Sequence, residues 1–90
     1  MNKVIWKYEL ETEDLVKVEM PIGAEILALQ TQNNRPCLWV LVDPDQKLER
    51  RDFQIVGTGH IIFNTDQAKR KYLGTYQLQG GLLVFHLFEY

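Results

Sequence analysis

The stretch Tyr72-Leu-Gly-Thr-Tyr-Gln-Leu-Gln-Gly-Gly-Leu-Leu-Val-Phe-His-Leu-Phe-Glu89 decides the fold. Two runs rich in β-branched and aromatic residues, Tyr72 to Leu78 and Leu82 to Glu89, flank Gln79-Gly80-Gly81, where glycine reaches positive φ without steric penalty. Such a pattern predicts a tight hairpin. Upstream, Phe53-Gln-Ile-Val-Gly-Thr-Gly-His60 ends a further strand over Arg51 to Thr58. Cys37 to Val42 is apolar on both faces, which predicts a central strand. Leu83 to Leu87 is expected to be largely buried for the same reason.

Nearer the N-terminus the pattern alternates. Val4, Trp6, Tyr8 and Leu10 oppose Lys3, Lys7 and Glu9, and Val16, Val18 and Met20 oppose Lys17 and Glu19. Each is the period-two signature of a half-buried strand. With acidic Glu11 to Asp14 between them, the simplest outcome is a first hairpin. Pro21-Ile-Gly-Ala breaks the chain before a strand over Ile26 to Gln32, and Asn33-Asn-Arg-Pro36 offers turn chemistry. Asp43-Pro-Asp45 opens a polar loop, and Asn64 to Lys71 reads as a charged loop or at most one helical turn. Seven short strands and no sustained helical spacing predict an all-β fold, a small antiparallel sandwich or partly open barrel.

The 90 residues make one domain. A chain this short buries only about 60 to 65% of its unfolded surface, so self-association is expected to add stability. The aromatic-rich C-terminal strand, Phe85 to Tyr90, is the expected place for a second subunit to cover apolar surface. The net charge of -2 gives no general attraction to long nucleic acid or to acidic membranes. No apolar run is long enough to span a bilayer, and lysines interrupt the N-terminal one. The single cysteine, Cys37, begins an apolar run, where a small buried thiol is the usual occupant, and an intracellular location is the expectation.

Catalytic constellations are thin. The sequence contains no serine, and its two histidines, His60 and His86, lie in no metal-ligand spacing, so neither a metal site nor a cofactor is expected. Thr58 and Thr75 lack a neighbouring base in sequence, and a small nucleotide hydrolase is the minor reading. Gly57-Thr58-Gly59-His60 is the best candidate for ligand contact, because glycines let successive N–H groups face one concavity that takes a phosphate or carboxylate. Its plain alternative is a glycine-rich strand end whose threonine bonds its own turn. Trp39 or Tyr76 would stack on a flat heterocycle, although aromatics in strands more commonly pack in the core. Among the loop cations, Arg51 would complete the charge match. For His86, alternation with Leu82, Val84 and Phe88 predicts a mainly buried ring satisfied by a neighbouring carbonyl.

Glu19-Met-Pro-Ile-Gly-Ala-Glu-Ile-Leu27, Pro36-Cys-Leu-Trp39, Leu41-Val-Asp-Pro44, Gly57-Thr-Gly-His60 and Gly80-Gly-Leu-Leu-Val-Phe-His-Leu-Phe-Glu89 together resemble a family of small uncharacterised proteins of tailed phages and prophages. The resemblance spans nearly the whole chain and implies an accessory protein of the host cytoplasm during infection; it carries over no catalytic residue. By analogy of design, a homo-oligomeric β protein with glycine-rich loops is similar to phage proteins that sequester nucleotide signals of host defence. The expected function is therefore non-enzymatic capture of a nucleotide-type ligand. The rival expectation is a protein-interaction module that inhibits a host enzyme through a strand edge or apolar patch.

Overall fold

In the computed structural model, which describes residues 2–62 and 70–90, seven strands carry the fold. In chain order they are β1 (Val4–Glu9), β2 (Leu15–Pro21), β3 (Glu25–Gln32), β4 (Arg35–Val42), β5 (Leu48–Gly57), β6 (Lys71–Leu78) and β7 (Leu83–Glu89). They form two antiparallel sheets, β1-β4-β3 and β2-β5-β7-β6, which stack without closing into a barrel. The expected loop over Asn64 to Lys71 falls mainly outside the described residues.

Local chemistry accounts for the two hairpins. Between β3 and β4, Asn33 and Asn34 both take positive φ, 53° and 60°, the requirement of a two-residue type I′ turn, and Asn tolerates that region better than most side chains. Between β6 and β7, Gln79, Gly80 and Gly81 take positive φ in a short 3-10 turn. The two hairpin tips are joined, since the Gln79 backbone N–H donates to Asn34 Oδ1 at 2.8 Å.

The first hairpin does not form. β1 pairs with β4, from Val4 opposite Val42 to Glu9 opposite Cys37, and β2 pairs with β5 in the other sheet. Alternation reports which face of a strand is buried, and it is the same whether the partner is adjacent or distant in sequence. The links β1–β2, β2–β3 and β4–β5 all change sheets. At the last, Asp43 shapes the turn by accepting the Asp45 N–H at its Oδ1 and the Gln46 N–H at its carbonyl oxygen.

The core lies between the sheets. Leu38, Val40 and Val42 of β4 face Phe53 and Ile55 of β5, Leu87 of β7 and Tyr76 of β6, with Leu10, Met20 and Ala24 completing the cluster. Each fully buried aliphatic or aromatic side chain contributes roughly 1.5–3 kcal/mol by removal from water. β4 is central in its sheet and largely buried, as expected. β7 is not: Leu87 is buried, but Leu83 is exposed and Val84, Phe85 and His86 are half-buried. The described residues make only two layers, 16 Å along the short axis, and among them no third layer covers the outer face of β7. β7 is moreover paired on both sides, with β5 and β6.

On one side the sheets meet at edges β3 and β6, both of which carry a bulge, after Ile26 and after Tyr72. There Gly74 packs against Leu29, where an added Cβ would lie 3.2 Å from Leu29 Cδ2, and the Thr31 hydroxyl donates to the Gln77 carbonyl at 3.2 Å. A surface groove separates the opposite edges, β1 and β2. No helix among the described residues is long and apolar enough to cross a membrane.

Candidate functional site

The Gly57–His60 segment is a tight turn at the end of β5, closed by the His60 N–H donating to the Gly57 carbonyl at 3.0 Å. Gly59 has φ +87°, the positive value that a type II turn demands at its third residue. Gly57 has a different reason to be glycine. A Cβ there would stand 2.9 Å from His60 Cε1 and Nδ1, so the bare backbone is what lets the imidazole lie against the strand. The two glycines thus shape a turn and seat a ring.

The turn does not offer the row of N–H groups expected for an anion. Thr58 N–H is spent on the Val84 carbonyl and His60 N–H on Gly57, which anchors the turn to β7 and closes it on itself. The Thr58 side chain instead reaches His86. Its hydroxyl is 2.7 Å from His86 Nε2, while Thr75 Oγ1 is 2.8 Å from His86 Nδ1 and bonded in turn to the Tyr72 hydroxyl. A chain of four polar side chains therefore runs from the turn after β5 across β7 to β6 on the outer face of the four-stranded sheet. His86 is satisfied by two hydroxyls, not by a carbonyl, and on the outer face, not a buried one.

The other expected site residues do not gather at the turn. Trp39 lies on the outer face of the other sheet, opposite Lys7 in register, with the lysine ammonium 6.0 Å from its ring. Tyr76 points between the sheets, packs on Phe85 with ring centroids 5.5 Å apart, and bonds Thr12 through its hydroxyl. Burial raises its pKa above the ordinary value, and the Thr12 bond offsets part of that rise. Arg51 is held inside one end of the sandwich by Glu89, at 2.6 Å and 2.9 Å, and by the Ala24 carbonyl at 2.6 Å. The bond to Glu89 raises its pKa further. A guanidinium so committed is not available to a ligand phosphate. Trp39, Tyr76 and Arg51 therefore lie apart from the Gly57–His60 turn and from one another.

What the turn does border is a concavity of about 350 Å³ on the same outer face, lined by His60, Ile61, Gln54, Val56, Leu15 and Tyr90, with Asp14 and Ile55 completing it. Its size falls within the range of small-molecule sites. Gln54 is the informative member: its Oε1 is buried and accepts no hydrogen bond among the described residues. Beside it Arg70 lies over the Tyr90 ring at 5.7 Å and the Phe88 ring at 5.9 Å, and Phe88 packs on Tyr72 at 5.5 Å. Among the described residues no group of three or more His, Cys, Asp and Glu side chains is placed to hold a metal ion.

Sequence reasoning singled out Thr58 and His60 but not Gln54, Tyr90, Phe88 or the His86 chain, which the structure places around them. The signal was available in the alternation of β7: Val84, His86, Phe88 and Tyr90 share one face with Gln54, opposite Phe88, and Val56, opposite His86.

The chain belongs to a family described as a domain of unknown function, DUF7352, which matches residues 1–90. Neither the curated proteins nor the solved structures hold a match to it.

Proposed function

We propose that this protein is a phage-encoded, non-enzymatic accessory protein of the host cytoplasm that captures a nucleotide-type ligand in the concavity between His60 and Tyr90. One observation carries the reading: an amide oxygen, Gln54 Oε1, that is buried and has no partner among the described residues, on a residue that lines an open concavity of ligand size. Burying an acceptor without a donor costs about 1–3 kcal/mol, which a ligand N–H would recover. An exocyclic amine or ring N–H of a base is such a donor, and Asp14 supplies a second acceptor on the same rim. Tyr90 and His60 give flat walls, and Arg70 keeps a guanidinium over the Tyr90 ring on that face. Capture alone lowers the free concentration of a signal, so no bond need be broken.

Thermal shift against a panel of cyclic and linear nucleotides tests this, with chromatography of the ligand afterwards. A rise in Tm with at least one nucleotide, recovered unchanged and lost in Gln54→Leu and Tyr90→Ala, is expected. No shift with any nucleotide overturns it, and a cleaved nucleotide overturns its non-enzymatic part.

A second reading, an interaction module that inhibits a host enzyme, draws on the β6–β7 tip, where Leu82 is 81% exposed beside exposed Leu83. Loss of host-enzyme inhibition in Leu82→Asp, with nucleotide binding absent in the parent, would favour it.

A further inference from the structure

We infer that β1 is a dimerisation strand, pairing antiparallel with β1 of a second copy across a two-fold axis centred on Trp6. Among the described residues β1 is an edge strand, bonded to β4 on one side only. It carries three consecutive exposed apolar residues, Val4, Ile5 and Trp6, at 40%, 59% and 39% exposure. An unprotected edge of this kind is a template for strand addition. Lysines commonly guard such edges, but Lys7 is drawn away from it, its Nζ donating across β4 to Gln32 Oε1 of β3 at 2.7 Å. Arg35 likewise draws Glu9 toward β4, at 3.1 Å. Of the other edges, β3 and β6 lie against each other, and β2 carries exposed Lys17 and Glu19, the charged residues that β1 lacks over Val4 to Trp6.

The register follows from the pleat and the charges. Residues opposite each other in a sheet share a face, so in a symmetric pairing the two residue numbers must sum to an even value. Centring on Ile5 sets Lys3 against Lys7, and centring on Lys7 sets like charges on the axis. Centring on Tyr8 runs the pairing past the end of β1 onto Leu10, which is buried and bonded to the Pro36 carbonyl. Centring on Trp6 sets Lys3 opposite Glu9, Val4 opposite Tyr8, Ile5 opposite Lys7 and Trp6 on itself. Val4, Trp6 and Tyr8 share the face of Val42, Val40 and Leu38, so two copies join one apolar ladder to both cores. The result is a six-stranded sheet, β3-β4-β1 continued by its symmetry mate.

Sedimentation at micromolar concentration tests the pairing, with circular dichroism to show that each variant is folded. The parent is expected to be a dimer. Lys3→Glu, which opposes two carboxylates at both symmetric pairs, is expected to raise the dimer Kd roughly 2-fold to 30-fold. Trp6→Cys places two thiols opposite each other on the axis, within disulfide reach, whereas Ile5→Cys places them two residues out of register and beyond it. Oxidation is expected to cross-link the first variant and not the second. A parent that stays monomeric overturns the inference. So does a dimer that Lys3→Glu leaves unchanged while Trp6→Cys fails to cross-link.

Discussion

The two glycines of Gly57-Thr-Gly-His60 look alike in sequence and act differently. Gly59 supplies a positive φ, whereas Gly57 has no side chain because the His60 imidazole occupies the space a Cβ would need. Gly57→Ala is therefore expected to swing the exposed ring aside at a stability cost below about 1 kcal/mol, because the obstacle is a movable side chain and not backbone. The check is the His60 ring resonance: an imidazole whose chemical shifts are the same in parent and Gly57→Ala does not lie on this strand. His86 has the opposite balance. Both ring nitrogens are bonded, to Thr58 and Thr75, and their hydroxyls would be left at a half-exposed surface that water reaches. His86→Ala is expected to lose about 1 kcal/mol in urea unfolding, near the usual net value for hydrogen bonds of this kind. A loss above roughly 3 kcal/mol would mean that the chain is buried in a way its exposure contradicts.

At the scale of strands and turns, the parts that rested on local chemistry were legible and the pairings were not. Asn33-Asn34 announced a turn because asparagine tolerates the left-handed region, and Gln79-Gly80-Gly81 because glycine does. The strands followed from period-two alternation at β1 and β2 and from apolar and aromatic runs between turn residues elsewhere. The partner of β1 did not follow, since Lys3 to Leu10 reads the same whether it pairs with β2 or with β4. For the site, Gly57 to His60 was legible as a turn, but Trp39, Tyr76 and Arg51 could be assigned to it only by residue type. Their faces depend on register: Tyr76 faces in with Phe85, and Trp39 faces out on the other sheet. The hairpin tips allow a clean test of local against tertiary contributions. Asn33 and Asn34 carry similar backbone strain, but only Asn34 also receives the Gln79 N–H. Asn33→Ala is expected to cost about 1 kcal/mol for the left-handed conformation, and Asn34→Ala about 1 kcal/mol more for the lost bond. Equal unfolding midpoints for the two variants would show that the link between the tips contributes nothing.

Across the whole molecule, the two sheets are fastened by few polar groups, and these set how the fold responds to charge. Arg51 and Glu89, neighbours in the four-stranded sheet, sit with 19% and 16% of their side chains exposed, and the guanidinium that Glu89 holds also reaches the Ala24 carbonyl ahead of β3. Arg51→Ala leaves Glu89 without its partner and is expected to cost about 2–4 kcal/mol, whereas Arg51→Met with Glu89→Leu is expected to recover most of that loss. A double variant as unstable as the single one would show that Arg51 acts through its packing. Another fastening, beside the Thr31–Gln77 and Asn34–Gln79 bonds, is Tyr76, whose ring is in the core and whose hydroxyl bonds Thr12. Burial raises its pKa above the ordinary 10.0, and burial alone does the same for Tyr8. A phenol with a raised folded pKa holds its proton more tightly folded than unfolded. Its contribution is therefore complete below the unfolded value and is lost as pH climbs through the folded one. Stability is expected to hold through neutral pH and to fall from about pH 10 upward. Tyr76→Phe removes the titrating group, so its unfolding midpoint is expected to fall less steeply over that range, even though the variant starts lower for want of the Thr12 bond. Urea unfolding at a series of alkaline pH values, read alongside the tyrosinate absorbance, compares the two slopes. Parallel slopes for parent and Tyr76→Phe would place the alkaline weakness elsewhere, with Tyr8 the next residue to replace.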